Sequence, residues 1–256
     1  MKVEKVSFLF EGKKIGGFVY YPSGTGLFPA VVFVHGFSGG THESKNKLMC
    51  EALAQNGMIA FQFDFYDKPN GLSEIPISDM TVSLQLAVLR KAVDFVCGLN
   101  GVDVSRIGLT GHSLGGMTVM LYTPTDSRIK VLVVQSGLSD FGQSRSTAFG
   151  LHPDWKRDGS KLMERSWGSF SLKYDFIEDG LKHDVYGALE KINCPVLVFH
   201  GDQDEAIAVE QAYKQREHLK ETDSLVIIEG ADHCYKINDT LPVATRLLVD
   251  FMQKKL

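Results

Sequence analysis

The stretch Gly111-His112-Ser113-Leu114-Gly115-Gly116 sets a serine between glycines in the pattern G-x-S-x-G. A serine hydroxyl attacks an acyl carbon only when a base removes its proton and a carboxylate orients that base. His233, in Gly230-Ala231-Asp232-His233, is the candidate base. Asp204, in Gly201-Asp202-Gln203-Asp204-Glu205, is the candidate acid, with Asp202 as its nearest alternative and Asp140 a more distant one. One of Asp202 and Asp204 is expected to be a turn residue that hydrogen-bonds its own loop. The tetrahedral intermediate of acyl transfer carries an oxyanion, which backbone amides stabilise. Leu114, directly after the serine, offers one such amide, and Phe37, in His35-Gly36-Phe37-Ser38-Gly39-Gly40, offers the other. The chemistry these residue types suit is cleavage of an ester or similar acyl bond through a covalent acyl-enzyme.

These residues need elements that bring them together. The runs Ala30 to Val34, Met58 to Phe61 with Phe63, Arg106 to Thr110, Val131 to Val134, Pro195 to Phe199 and Leu225 to Ile228 are apolar without alternation. Such runs suit strands covered on both faces, as in a parallel sheet. Helical patterns lie between them, over Ser44 to Asn56, Thr81 to Cys97, Met117 to Leu121, Ala206 to Leu219 and Val243 to Gln253. Alternation of this kind predicts right-handed crossovers and an open, doubly wound α/β sheet. Ahead of it, Val6, Phe8 and Phe10 alternate, Glu11 to Lys14 turns, and Ile15 to Tyr21 runs extended, which predicts an antiparallel hairpin. Each candidate catalytic loop follows a predicted strand, at the carboxyl edge of the sheet.

The rhythm breaks between Gln135 and Pro195, where a plain crossover needs far fewer residues. Both tryptophans and several other aromatics fall there, so residues 138–190 read as a small helical cap inserted into one domain spanning 1–256. An aromatic insert over the sheet edge suggests a largely apolar pocket. Asp140, Gln143 and Trp167 are the candidate substrate contacts. Of the eight histidines, His112 is expected to point away from the serine and serve the structure. His200 is expected to pack behind the acid loop, and His42, His152, His183 and His218 fall at expected surface or cap positions.

The 256 residues are 44% hydrophobic and 23% charged, ordinary values for a globular chain with a full core. A net charge of −4 and the lack of a basic stripe argue against nucleic acid and anionic membranes as partners. No run of about 18 apolar residues is present, so no membrane span is expected. The opening MKVEKVSFLFEGKK does not have the form of a signal peptide, which makes the cytoplasm the default location. Four cysteines without C-x-x-C spacing read as free thiols. There is no H-E-x-x-H, P-loop or dinucleotide fingerprint, so neither metal nor organic cofactor is expected, and the expected partner is a small-molecule ester.

Taken in order, His35-Gly36-Phe37, Gly111-His112-Ser113-Leu114-Gly115-Gly116, Gly201-Asp202-Gln203-Asp204 and Gly230-Ala231-Asp232-His233 resemble the successive landmarks of the α/β-hydrolase family. The resemblance spans nearly the whole chain, and the order serine, acid, histidine is the one described for that family. It implies a serine hydrolase with catalytic Ser113, Asp204 and His233. Within the family, the H-G-F loop, compact size and short insert resemble feruloyl or cinnamoyl esterases and related small carboxylesterases. The chain departs from many relatives in two places. It lacks G-x-G-x-S after the strand ending at Asp64, and it reads Gly230-Ala231-Asp232-His233 where G-A-G-H is common. Peptidase, thioesterase, lipase or acyltransferase chemistry on the same residues, a non-catalytic binding protein on the same scaffold, and a metal-dependent lyase or hydrolase, against which the scattered histidines argue, are the alternatives.

Overall fold

The computed structural model describes residues 1–142 and 154–256. Strands β1 (Lys2–Phe10) and β2 (Lys13–Tyr21) form the predicted hairpin. Glu11 and Gly12, at φ 48° and 78°, make its two-residue turn, and positive φ at both positions matches the right-handed twist of the strands. The remaining strands of the main sheet are β3 (Phe28–Val34), β4 (Ile59–Phe63), β5 (Val102–His112), β6 (Ile129–Gln135), β9 (Val196–Gly201) and β10 (Ser224–Ile228). The spatial order is β1-β2-β4-β3-β5-β6-β9-β10 in one eight-stranded sheet. It is antiparallel from β1 through β4 and parallel from β4 onward.

The parallel strands are buried on both faces, which is why they read as unbroken apolar runs. Ala30, Val32 and Val34 of β3 join one core and Val31 and Phe33 the other. Helices α1 (Ser44–Gln55) and α8 (Thr240–Lys255) cover the face of Val31 and Phe33. Helices α2 (Val82–Cys97) and α3 (Leu114–Tyr122) cover the other. Thr81 is the N-cap of α2, its hydroxyl accepting from the Leu84 N–H at 3.0 Å.

Two expectations need correction. The helix expected from Ala206 begins only at Glu210 (α7, Glu210–Glu217), because the Asp204 carboxylate takes the Ala206 and Ile207 N–H groups into a turn. The insert is also more than helical. Its described part holds α4 (Asp154–Asp158), an antiparallel ribbon of β7 (Ser160–Arg165) and β8 (Gly168–Lys173), then α5 (Asp175–Gly180) and α6 (Val185–Leu189). Met163, Phe170 and Leu172 turn to the buried side of the ribbon, a period-two pattern masked in the sequence by charged and aromatic neighbours. Asp179 of α5 ties the insert to the body, its carboxylate accepting from Ser83 N at 2.8 Å and Ser83 Oγ at 2.6 Å at the start of α2. Among the described residues no helix is long and apolar enough to cross a membrane.

One buried ion pair braces the loops at the sheet edge. Asp64, just past β4, accepts from Thr41 N at 2.8 Å, Thr41 Oγ1 at 3.1 Å and Leu72 N at 2.9 Å. Lys68 Nζ lies 3.6 Å from it and donates to the Gly39 carbonyl. Removing the carboxylate strands a buried ammonium and three donors, so Asp64→Ala is expected to cost about 3–5 kcal/mol. Urea unfolding checks this, and a loss below about 1 kcal/mol, the level of an ordinary substitution, would show that the carboxylate does not brace these loops.

Candidate active site

Ser113 occupies the turn from β5 into α3 at φ 58°, ψ −120°. Positive φ costs a non-glycine residue of order 1–3 kcal/mol and persists only where surroundings enforce it. Here they do. Ser113 N donates to the Gln135 carbonyl at 3.0 Å, while its own carbonyl accepts from Met117 N at 3.2 Å and Leu138 N at 3.1 Å. The flanking glycines allow the close approach: a Cβ on Gly111 would lie 2.3 Å from the Gly115 carbonyl oxygen, and one on Gly115 2.4 Å from that of His35. Leu114 opens α3, so its N–H belongs to the first helical turn, which has no intrahelical acceptors.

The loop after β3 passes directly over the serine, with Gly36 so near that a Cβ there would stand 3.1 Å from Ser113 Cβ. His35 fixes this loop. Its Nδ1 donates to the Gly36 carbonyl at 2.8 Å and its Nε2 accepts from Phe65 N at 3.1 Å. Burial, and after it the Lys68 charge, pushes the His35 imidazole down to about 4, so it is neutral and suited to both roles.

His233 and Asp204 meet from two further loops, with Nδ1 to Oδ2 at 2.8 Å. Asp204 Oδ1 accepts from Ala206 N at 2.9 Å and Ile207 N at 2.8 Å, and His200 Nε2 stands 3.1 Å from Oδ2. Burial alone would raise the Asp204 carboxyl, yet the hydrogen bonds from His200 and His233 hold it well below the usual carboxylate range. Asp202 does something else: its Oδ1 accepts from Gly230 N at 2.7 Å, joining the acid loop to the histidine loop. His112 is expected from the sequence to point away from the serine, yet it also lines the space that Ser113 and His233 share. Its Nε2 donates to the His233 carbonyl at 2.8 Å and its ring centroid lies 4.7 Å from that of His233. Burial, followed by the Lys45 and His233 charges, drives His112 well down, which keeps it a neutral strut under the His233 backbone.

Ser113 and His233 open onto one cavity of about 220 Å³, shared with Gly36, Phe37, Leu138 and Arg165. Residues 89–256 match the Prolyl oligopeptidase family and residues 15–147 the Dienelactone hydrolase family, each more than half of the chain. Both matches include the turn at Ser113. The chain belongs to the α/β-hydrolases. Among solved structures, Est1E from Butyrivibrio proteoclasticus with ferulic acid bound is 26% identical, superposes with a TM-score of 0.85 and is covered over 98% of both chains. A putative carboxymethylenebutenolidase of Escherichia coli (strain K12) is 24% identical over 221 residues, 82% of this chain and 68% of that one. Protein usf of Aquifex pyrophilus is 28% identical over 128 residues, and the match spans about half the length of that relative.

The candidate substrate contacts fare differently in this hydrolase. Asp140 lies at the root of the insert, its N–H donating to Gln211 Oε1 at 2.9 Å, and is not among the residues lining the cavity. Trp167 stacks on Phe170 with centroids 5.5 Å apart and does not line it either. The stacking is an expected fate for an aromatic at a ribbon turn, where apolar packing competes with a cavity position. Gln143 lies outside the described residues. The sequence reading missed Arg165 and Ser38, which hydrogen-bond across the gap between insert and body. No local pattern marks that pair, since 127 positions separate the two residues.

The lowered Asp204 carboxyl carries a signed consequence for stability. Its folded value lies below the unfolded value of about 3.9, so its contribution is complete above about pH 4 and is lost as pH falls toward the folded value. Unfolding curves between pH 5 and pH 2 are therefore expected to steepen for the wild type relative to Asp204→Asn. Parallel curves would show that the depressed carboxyl is not linked to folding.

Proposed function

We propose that this α/β-hydrolase is a serine esterase that cleaves small to medium carboxylic esters, aromatic acyl esters included, through an acyl-enzyme. The observation that carries the reading is the 2.8 Å bond between Asp204 and His233 beside a serine held at positive φ in the same cavity. In this reading His233 Nε2 takes the Ser113 proton as Oγ attacks the carbonyl carbon. Asp204 keeps the Nδ1–H tautomer and offsets the imidazolium. The amides of Phe37 and Leu114 hold the oxyanion, where one donor is worth about 3 kcal/mol. The imidazolium then passes its proton to the departing alcohol, and water repeats the sequence on the acyl-enzyme.

The aromatic side of the substrate proposal has two supports. Est1E, whose structure holds ferulic acid, matches along nearly all of this chain. Phe37 at the cavity also packs into an aromatic cluster, 5.6 Å from Phe176 and 6.2 Å from Phe170 between ring centroids. Apolar walls of this kind suit a flat or aliphatic portion of the acyl group against the rings.

The deciding assay is turnover of p-nitrophenyl esters from acetyl to octanoyl, together with methyl ferulate, by wild type and Ser113→Ala. The variant is expected to lose several orders of magnitude in kcat while keeping its fold. Turnover that survives the substitution in full would remove Ser113 from the reaction. With the same substrates, Asp204→Asn is expected to cost at least a hundredfold more than Asp202→Asn. Equal losses would return the choice of acid to open question.

A further inference from the structure

The insert delivers to the cavity of Ser113 and His233 a cation with which, among the described residues, no carboxylate forms an ion pair. Arg165 ends β7, half-buried, and lines the same space as Ser113 and His233. Its Nε donates to Ser38 Oγ at 3.0 Å and its Nη1 to the Glu164 carbonyl at 2.7 Å, both neutral acceptors. The guanidinium lies over the Phe37 ring, 4.9 Å from its centroid. Among the described residues no carboxylate pairs with it, and residues 143–153, read as sequence, contain neither Asp nor Glu. Desolvation without a carboxylate partner works against its charge.

One acid does line the cavity, and it is already engaged. Glu43 Oε2 accepts from Asn46 Nδ2 at 2.8 Å. Its charge acts on two buried lysines, Lys45 and Lys68. Asp204 is committed to His233, His200 and two backbone amides. Among the described residues Arg165 is thus the lining cation without a carboxylate partner, and its planar fork suits a carboxylate.

We propose that Arg165 binds an anionic group of the substrate, so that the preferred ester bears a carboxylate beside the scissile bond's apolar side. The proposal rests on the esterase reading and narrows its substrate class. Arg165 is a specificity residue in it: the bond-making atoms remain those of Ser113 and His233. Because the guanidinium reaches the cavity from the insert, the same contact would draw insert and body together around a bound anion.

The test compares matched esters that differ by one carboxylate. On the acyl side the pair is mono-p-nitrophenyl glutarate and p-nitrophenyl valerate. On the alcohol side it is 4-acetoxybenzoate and methyl 4-acetoxybenzoate. The readout is the preference for the charged member in wild type divided by that in Arg165→Gln, a ratio that cancels intrinsic reactivity. Glutamine is chosen because it can still reach Ser38. At least one pair is expected to show a ratio of about tenfold or more, the size of one charge-assisted hydrogen bond, carried mainly by KM, with Arg165→Lys intermediate. A ratio near one in both pairs would overturn the proposal and leave Arg165 as a strut on Ser38 and Phe37. If the folded wild type cleaves neither pair, the esterase reading has failed, and calorimetry decides the anion question separately. Ser113→Ala is then expected to bind 4-acetoxybenzoate more tightly than its methyl ester, and to lose that difference when Arg165→Gln is added. Equal binding of the two would sink the anion site as well.

Discussion

Two backbone segments approach each other more closely at the Ser113 turn than any side chain would permit. The turn after β5 packs onto the loop after β3 so tightly that a methyl on Gly115 would stand 2.4 Å from the His35 carbonyl oxygen. This contact fixes the site. It holds Ser113 in its positive-φ conformation, brings the first amide of α3 beside the Phe37 loop, and points both toward one cavity. The parallel sheet makes it possible, because β3 and β5 are neighbours and end at the same edge.

The polar groups around that contact are mostly arranged as neutral struts. His35 braces the Phe37 loop and His112 braces the backbone of His233, and burial keeps each uncharged. His200, also fully buried, stands behind Asp204 and shares its proton between that carboxylate and the Ile207 carbonyl. Neutral imidazoles suit the work of His35 and His112, offering one donor and one acceptor without the desolvation cost of a buried ion. Charged groups sit at a few places, among them Asp204, the Asp64–Lys68 pair, Glu43, Lys45 and Arg165.

The insert brings a different kind of order. Its ribbon and short helices bury Trp155, Leu172, Phe176 and Ile177, so it is packed as part of the core. Its described residues meet the loop after β3 at the Phe37 ring and through the hydrogen bond from Arg165 to Ser38. A well-packed element that borders a cavity without belonging to the sheet is suited to setting specificity, since its surface can vary without disturbing the sheet.

Much of this was legible in the residues alone. Unbroken apolar runs separated by helical stripes identify a parallel α/β sheet, because strands buried on both faces have no polar side to alternate. The G-x-S-x-G at a strand-to-helix junction identifies the turn, because only small neighbours fit there. The order of Ser113, Asp204 and His233 at the ends of strands places all three at one edge. Tertiary structure alone decided the rest. Asp202 and Asp204 sit two positions apart with the same chemistry, and only the path of the loop determines that Asp204 meets His233 while Asp202 meets Gly230. The β-ribbon of the insert, the displacement of Asp140 and Trp167 from the cavity wall, and the arrival of Arg165 beside Phe37 all depend on contacts between residues far apart in the chain. Local pattern reports which face of an element is apolar; it carries no record of which distant element will cover that face.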